Sequence, residues 1–188
     1  MNSPTNKDSQ CIYAIDGLPT LQNRVYETAE QAIACRRGKV RLSHHPDTGI
    51  VSNLAFKDQL VCYDSFYNNE QSHSPTFKQH LNEVGSLIKQ RLGTKNLFEV
   101  GCGKGAFLEQ LKGEGCEIGG CDPTYEGTNP SVVKSFFNES LGIAGKNLIL
   151  RHVLEHIVNP LDFLYYLAQA NQGGKIYIEV PCLDWIIA

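Results

Sequence analysis

The stretch from Leu97 to Gly105, LFEVGCGKG, limits the folds open to this chain more than any other. Leu97, Phe98 and Val100 make an apolar, strand-like run broken by one carboxylate, Glu99, and the chain then passes three glycines, Gly101, Gly103 and Gly105, before the helical pattern AFLEQLKG begins. Strand, glycine turn and helix start follow in that order. Glycine accepts positive φ and lets a ligand approach the backbone, while a helix N-terminus offers unpaired N–H groups and the positive end of its dipole.

Two ligand classes fit such a turn. Gly101-x-Gly103-x-x-Ala106 matches a dinucleotide-binding pattern. Glu99 points elsewhere, because a pyrophosphate has no use for a carboxylate just ahead of the first glycine, whereas an ammonium group or ribose hydroxyls do. A second acid, Asp122, closes the strand-like run Glu117 to Cys121 and is placed to accept from ribose hydroxyls. Together the two acids suit a ligand with an amino-acid end and a nucleoside end.

On these residues, LFEVGCGKG followed by GGCDP, the sequence resembles the class I S-adenosylmethionine-dependent methyltransferases. The resemblance implies a Rossmann-like parallel sheet with flanking helices and S-adenosylmethionine as cofactor. It places the methionine end at Glu99, Gly101, Cys102, Gly103 and Gly105, and the ribose at Asp122 with Pro123 beside it. It puts the adenine near the residues after the third strand, among which Phe137 is the cofactor candidate, although core packing is the stronger reading for a phenylalanine.

At 188 residues the chain suits one domain with a small appendage. A net charge of −3 argues against a broad electrostatic grip on nucleic acid. No run of eighteen apolar residues exists and the start MNSPTNKDSQ is not a signal peptide, so neither membrane nor export is expected. The seven cysteines contain no C-x-x-C pair and read as reduced thiols of a cytoplasmic protein.

Residues 1–10 read as a disordered tail. From 11 to 73 the pattern predicts a small α+β appendage: a short helix through Glu27 to Ala34, then runs Lys39 to Ser43 and Ile50 to Leu54 around a turn at His45 to Gly49. LPTLQNRVYETAEQA, this hairpin and YDSFYNNEQSHSP resemble the N-terminal region of a methyltransferase subfamily that includes sugar C-methyltransferases. In that subfamily two C-x-x-C pairs bind structural zinc. Here Cys11 is followed three on by Ala14, and the second pair falls on His45 and Thr48, too few ligands for a closed tetrahedral site. No metal is expected. The resemblance makes the segment Tyr63 to His73 a flap over the cofactor, with Tyr67 toward the cofactor and Tyr63 toward the acceptor; a polar surface loop is the alternative.

Residues 74–188 read as the cofactor-binding core. Ser74 and Pro75 open a helix with Phe77, Leu81, Val84, Ile88 and Leu92 at helical spacing up to Gly93. Ser131 to Phe137 is a third strand candidate and Asn147 to Leu150 a fourth, buried one. A helix capped by Asn159 ends at Gly173-Gly174, and Lys175 to Val180 is a fifth strand. Strands alternating with helices over short links predict a parallel sheet.

His152-Val-Leu-Glu155-His156 matches the H-x-x-E-H zinc-protease signature. A zinc site needs both histidines within a sustained helix, and only about a turn fits between Arg151 and the Asn159 cap. Strand four instead directs Arg151 to His156 into the crevice of Glu99 and Asp122. The resemblance puts Arg151 and His152 at the cofactor, and Glu155 and His156 near the acceptor; mutual pairing of Glu155 and His156 is the structural alternative. S-adenosylmethionine carries an activated methyl, so the protein has to align an acceptor and remove a proton where needed. Candidates for that base are His156, Glu155, His152 and Tyr63. The expected acceptor is a small molecule, a sugar or other carbon acid.

Class I sheets have seven strands, and nothing here supplies the last two. The sequence therefore reads as a fragment, a truncated product or a sheet completed otherwise, with homo-oligomer formation expected through an exposed C-terminal edge bearing Leu183, Trp185, Ile186 and Ile187. Catalytically weak cofactor binding and a nicotinamide-dinucleotide oxidoreductase remain the alternative functions.

Overall fold

The computed structural model describes residues 10–21, 24–61 and 74–187. The chain divides into two compact units, Met1–Glu70 and Gln71–Ala188.

The first unit is a three-stranded antiparallel sheet of β1 (Gln10–Pro19), β2 (Arg37–His44) and β3 (Val51–Asn53), with the short helix α1 (Ala29–Ile33) between β1 and β2. The hairpin is therefore one strand larger than expected. β1 breaks register between Cys11 and Tyr13 and again between Asp16 and Leu18, so its apolar residues lose the two-residue alternation that marks a strand. Thr28 caps α1, its hydroxyl accepting from Gln31 N–H. Arg41 ties the sheet together, its Nη2 donating to Asp16 Oδ1 at 2.6 Å. Cys11 is exposed, and among the described residues no group of three or more His, Cys, Asp or Glu is arranged to hold a metal ion.

The second unit is a parallel sheet in the order β6-β5-β4-β7-β8: β4 (Leu97–Val100), β5 (Ile118–Cys121), β6 (Val132–Val133), β7 (Asn147–Arg151) and β8 (Ile176–Glu179). From the central β4 the chain moves outward through β5 and β6, then returns to the other side of β4 for β7 and β8. The reversal opens a crevice at the carboxyl ends of β4 and β7, where ligands of such sheets bind. β6 has two residues only, because Ser135 N–H bonds back to Val133 O and turns the chain out of the ladder.

Alternation along the strands sends side chains to two faces. Leu97, Ile118 and Ile149 meet Leu81, Val84 and Ile88 of α2 (Pro75–Leu92) and Phe107, Leu108 and Leu111 of α3 (Ala106–Gly113). Phe98, Val100, Leu148 and Leu150 meet Leu167 of α4 (Pro160–Asn171) on the other face. Each fully buried leucine or isoleucine in these layers contributes about 1.5–3 kcal/mol. By the same parity Glu99, Arg151 and Glu179 lie on the α2–α3 face.

Ser74 caps α2 as expected, accepting from Phe77 N–H. Asn159 precedes α4, but its side chain makes no capping bond there; Pro160 opens the helix without it. α4 ends through Gln172 at φ +49, and the turn into β8 is held by buried Asn171, which donates to Gly174 O at 2.8 Å and accepts from Gly173 N–H. β8 borders the sheet, followed by the one-turn helix α5 (Leu183–Ile187), where Trp185 is 82% exposed. No described helix is long and apolar enough to cross a membrane.

Replacing Asn171 by alanine leaves two backbone groups of this turn without partners, and urea unfolding of Asn171→Ala should show a loss of about 2 kcal/mol. An unchanged midpoint would show that the turn does not depend on that side chain.

Candidate active site

The turn after β4 is built by backbone bonds. Gly101 and Cys102 N–H both donate to Cys121 O, at 2.8 and 3.2 Å, and Gly105 N–H closes onto Cys102 O at 2.9 Å. Gly101 sits at φ +72, and a Cβ there would meet Val153 Cγ2 at 2.5 Å, so two separate constraints demand glycine. A Cβ at Gly103, by contrast, would meet nothing within 4 Å. Open space therefore faces the middle of the turn. Gly105 leads into α3 with no side-chain cap, which leaves the first helical N–H groups without a side-chain acceptor.

Asp122 locks the turn to the end of β5. Its Oδ2 accepts from Gly103 N–H at 2.8 Å, and its Oδ1 from Thr124 N–H and the Thr124 hydroxyl at 2.7 and 2.6 Å. A carboxylate has about four acceptor positions, so room remains for a further donor such as a ribose hydroxyl. Pro123 lies between these two residues. Cys102 contributes backbone only, since its thiol is packed in the core and raised far above its ordinary pKa, by burial first and the charge of Glu99 next.

Glu99 is the unusual group. It is 3% exposed on a strand buried along its whole length, and its Oε2 is buried with no hydrogen-bond partner. Burial pushes its carboxyl up to about 7, against the charge of Arg151 and with smaller pushes from Asp122 and Glu179. An orphaned buried acceptor is costly unless something supplies a donor.

A donor of opposite character lies two residues further along the neighbouring strand. Arg151 is 8% exposed; its Nε donates to Glu179 Oε2 at 2.8 Å, its guanidinium lies 4.3 Å above the Phe107 ring centroid, and its Nη2 is buried without a partner. Glu179, closing β8 opposite Arg151, also meets His80 Nε2 of α2 at 2.7 Å and His152 Nε2 at 3.3 Å. Burial alone would raise the Glu179 carboxyl, but bonds from His152, Arg151 and His80 hold it well below the ordinary carboxylate range.

The segment after β7 takes the short form. His152 stands at φ +53, Leu154–His156 is a single 3-10 turn, and α4 begins at Pro160. The H-x-x-E-H spacing therefore never lies on a sustained helix. His152 Nδ1 is 3.4 Å from Glu155 Oε1, so Glu155 pairs with His152. Bonds to Glu155 and then Glu179 raise His152 to about 9, against burial. A histidine kept protonated at neutral pH is a poor general base.

The structure thus brings Glu99, Gly101, Cys102, Gly103, Gly105, Asp122, Arg151, His152 and Glu155 to one end of the sheet. Phe137 instead packs edge-on against Phe163 and Tyr166 of α4, at 6.2 and 5.6 Å between centroids. Tyr63 and Tyr67 lie outside the described residues. Glu179 and His80 were not anticipated: a lone acid before Pro181 and a histidine on an amphipathic helix carry no local pattern, and they stand 99 residues apart.

A sheet reversing beside β4, an acid-bearing glycine turn and a second acid after β5 define a Rossmann-like fold of the class that takes nucleoside-containing cofactors. Residues 76–188 match the model of the family described as "Methyltransferase domain", and the chain belongs to that family as a methyltransferase. Family membership sets aside the nicotinamide-dinucleotide oxidoreductase. The tRNA U34 carboxymethyltransferase of Colwellia psychrerythraea is 31% identical over 109 residues, which cover 50% of this chain and 34% of that relative. The chain thus matches about a third of that relative's length. A class I methyltransferase domain implies S-adenosylmethionine as methyl donor.

Because Glu99 holds its proton more tightly when folded than when unfolded, the folded state binds the extra proton between about pH 4.5 and 7. Glu99 should therefore cost the ligand-free protein stability as pH rises through that window, by about 3 kcal/mol in all. Denaturant titrations of wild type and Glu99→Gln at several pH values should give a stability difference that changes by this amount; a constant difference would contradict the assignment.

Proposed function

We propose that the protein transfers a methyl group from S-adenosylmethionine to a small-molecule acceptor, a sugar or other carbon acid, in the cytoplasm. The observation that carries the reading is the buried Glu99 Oε2 without a donor, on the strand that leads into the glycine turn. An ammonium group is the donor such an oxygen accepts best. In this reading Glu99 takes the amino group of the cofactor, Arg151 Nη2 its carboxylate, the backbone of the glycine turn lines the same end, and Asp122 takes the ribose. When bound, the cofactor supplies an electrophilic methyl group. The chain's own part is alignment and proton removal. Candidates for the proton-accepting role are His156, Glu155 and Tyr63.

The net charge of −3 supports a small acceptor over a polyanion. The printed name of the Colwellia relative favours a second reading, an RNA acceptor. Salt-dependent tRNA binding by this chain would favour that reading over the first. The exposed Trp185 and Ile186 beside the border strand β8 support self-association, which should appear as concentration-dependent sedimentation; a single monomeric species throughout would contradict it.

Calorimetric titration with S-adenosylhomocysteine should give one site per chain, no heat with NAD, and at least about tenfold weaker binding in Glu99→Gln. Failure of wild type to bind S-adenosylhomocysteine would overturn the proposed cofactor. Binding without turnover of any acceptor would leave the chain a cofactor-binding, catalytically weak methyltransferase.

A further inference from the structure

The Glu179 carboxylate takes side-chain bonds from three residues on three elements: His80 from α2, Arg151 from the end of β7 and His152 from the bend beyond it. Its backbone also takes part, Glu179 O accepting His152 N–H at 2.9 Å. Glu179 itself is only 12% exposed at the side chain. A surface ion pair contributes little to stability, but a buried carboxylate with converging donors fixes the rotamers of everything bonded to it.

What it fixes lies at the carboxyl end of β7. With Nε held by Glu179 and its plane held over Phe107, the Arg151 guanidinium has one orientation, and the group left over is Nη2, buried and unpartnered. His152 is held in a left-handed conformation that few non-glycine residues adopt, by the same residue's backbone and carboxylate together. A guanidinium aimed this way is suited to one oxygen of a carboxylate.

We propose that Glu179 is a positioning residue for cofactor binding, aiming Arg151 Nη2 at the carboxylate of the cofactor's amino-acid end, and that His80 supports it by holding the Glu179 side chain in place. The proposal rests on the cofactor reading above and adds residues to it that touch no ligand. Glu179→Gln cannot accept from all three donors, and it leaves the buried Arg151 charge without its counter-ion. The aim of Nη2 is then lost. His80 is half-exposed at its side chain, so His80→Ala removes one support without opening the core.

The test compares two nucleosides that differ at the end in question. S-adenosylhomocysteine carries the amino-acid carboxylate; 5′-methylthioadenosine carries the adenosine and sulfur without it. Glu179→Gln should weaken S-adenosylhomocysteine at least tenfold and leave methylthioadenosine within twofold of wild type. His80→Ala should show the same selectivity at a few-fold, and His80→Gln, whose amide can still donate to Glu179, should restore wild-type affinity. Equal weakening of both nucleosides would mean a structural defect, and no weakening of either would mean that Arg151 needs no aiming; each result overturns the proposal. If wild type binds neither nucleoside, the cofactor reading itself has failed, a result distinct from these.

Discussion

A carboxylate sealed into the central strand of a parallel sheet is the constraint on which the second unit turns. Glu99 lies between β5 and β7 at positions that Gly120 and Ile149 oppose, where an aliphatic residue would make the more stable sheet. Its neighbours moderate the cost without removing it. Arg151 lends charge, while Asp122 and Glu179 oppose it, and one carboxylate oxygen stays without a donor. Stability is given up at the place where the glycine turn leaves room for a ligand, the pattern expected of a site rather than of a core.

Around that carboxylate the fold distributes three kinds of work. Backbone hydrogen bonds and Asp122 shape the turn; the aromatic face of Phe107 and the Glu179 carboxylate shape the arginine; the bend at His152 returns the chain to α4 within a single turn. None of these is a long-range rearrangement. All sit at the carboxyl ends of β4, β5, β7 and β8, because the sheet reverses its winding direction beside β4.

Much of this was legible in the chain. The βα turn was readable because each glycine answers a backbone need, and α2 because Ser74, Pro75 and a helical apolar stripe agree with one another. The single turn between β7 and α4 was legible too, since Pro160 leaves no space for more. Other parts were not legible, for physical reasons. β1 hides behind two register breaks, and β6 is too short for any periodicity. Phe137 had two uses, core packing the stronger of them, and its ring meets Phe163 and Tyr166 of α4. Glu179 and His80 meet only through a contact between distant segments, and so do His152 and Glu179.

The most direct measurement is the titration of the Glu99 side-chain carboxyl itself, followed by carbon NMR with and without S-adenosylhomocysteine. In the ligand-free protein it should titrate near pH 7, and with the nucleoside bound it should fall back toward the ordinary carboxylate range as the ammonium pairs with it. A Glu99 carboxyl that titrates like an exposed one, or one that ignores the bound nucleoside, would contradict the account.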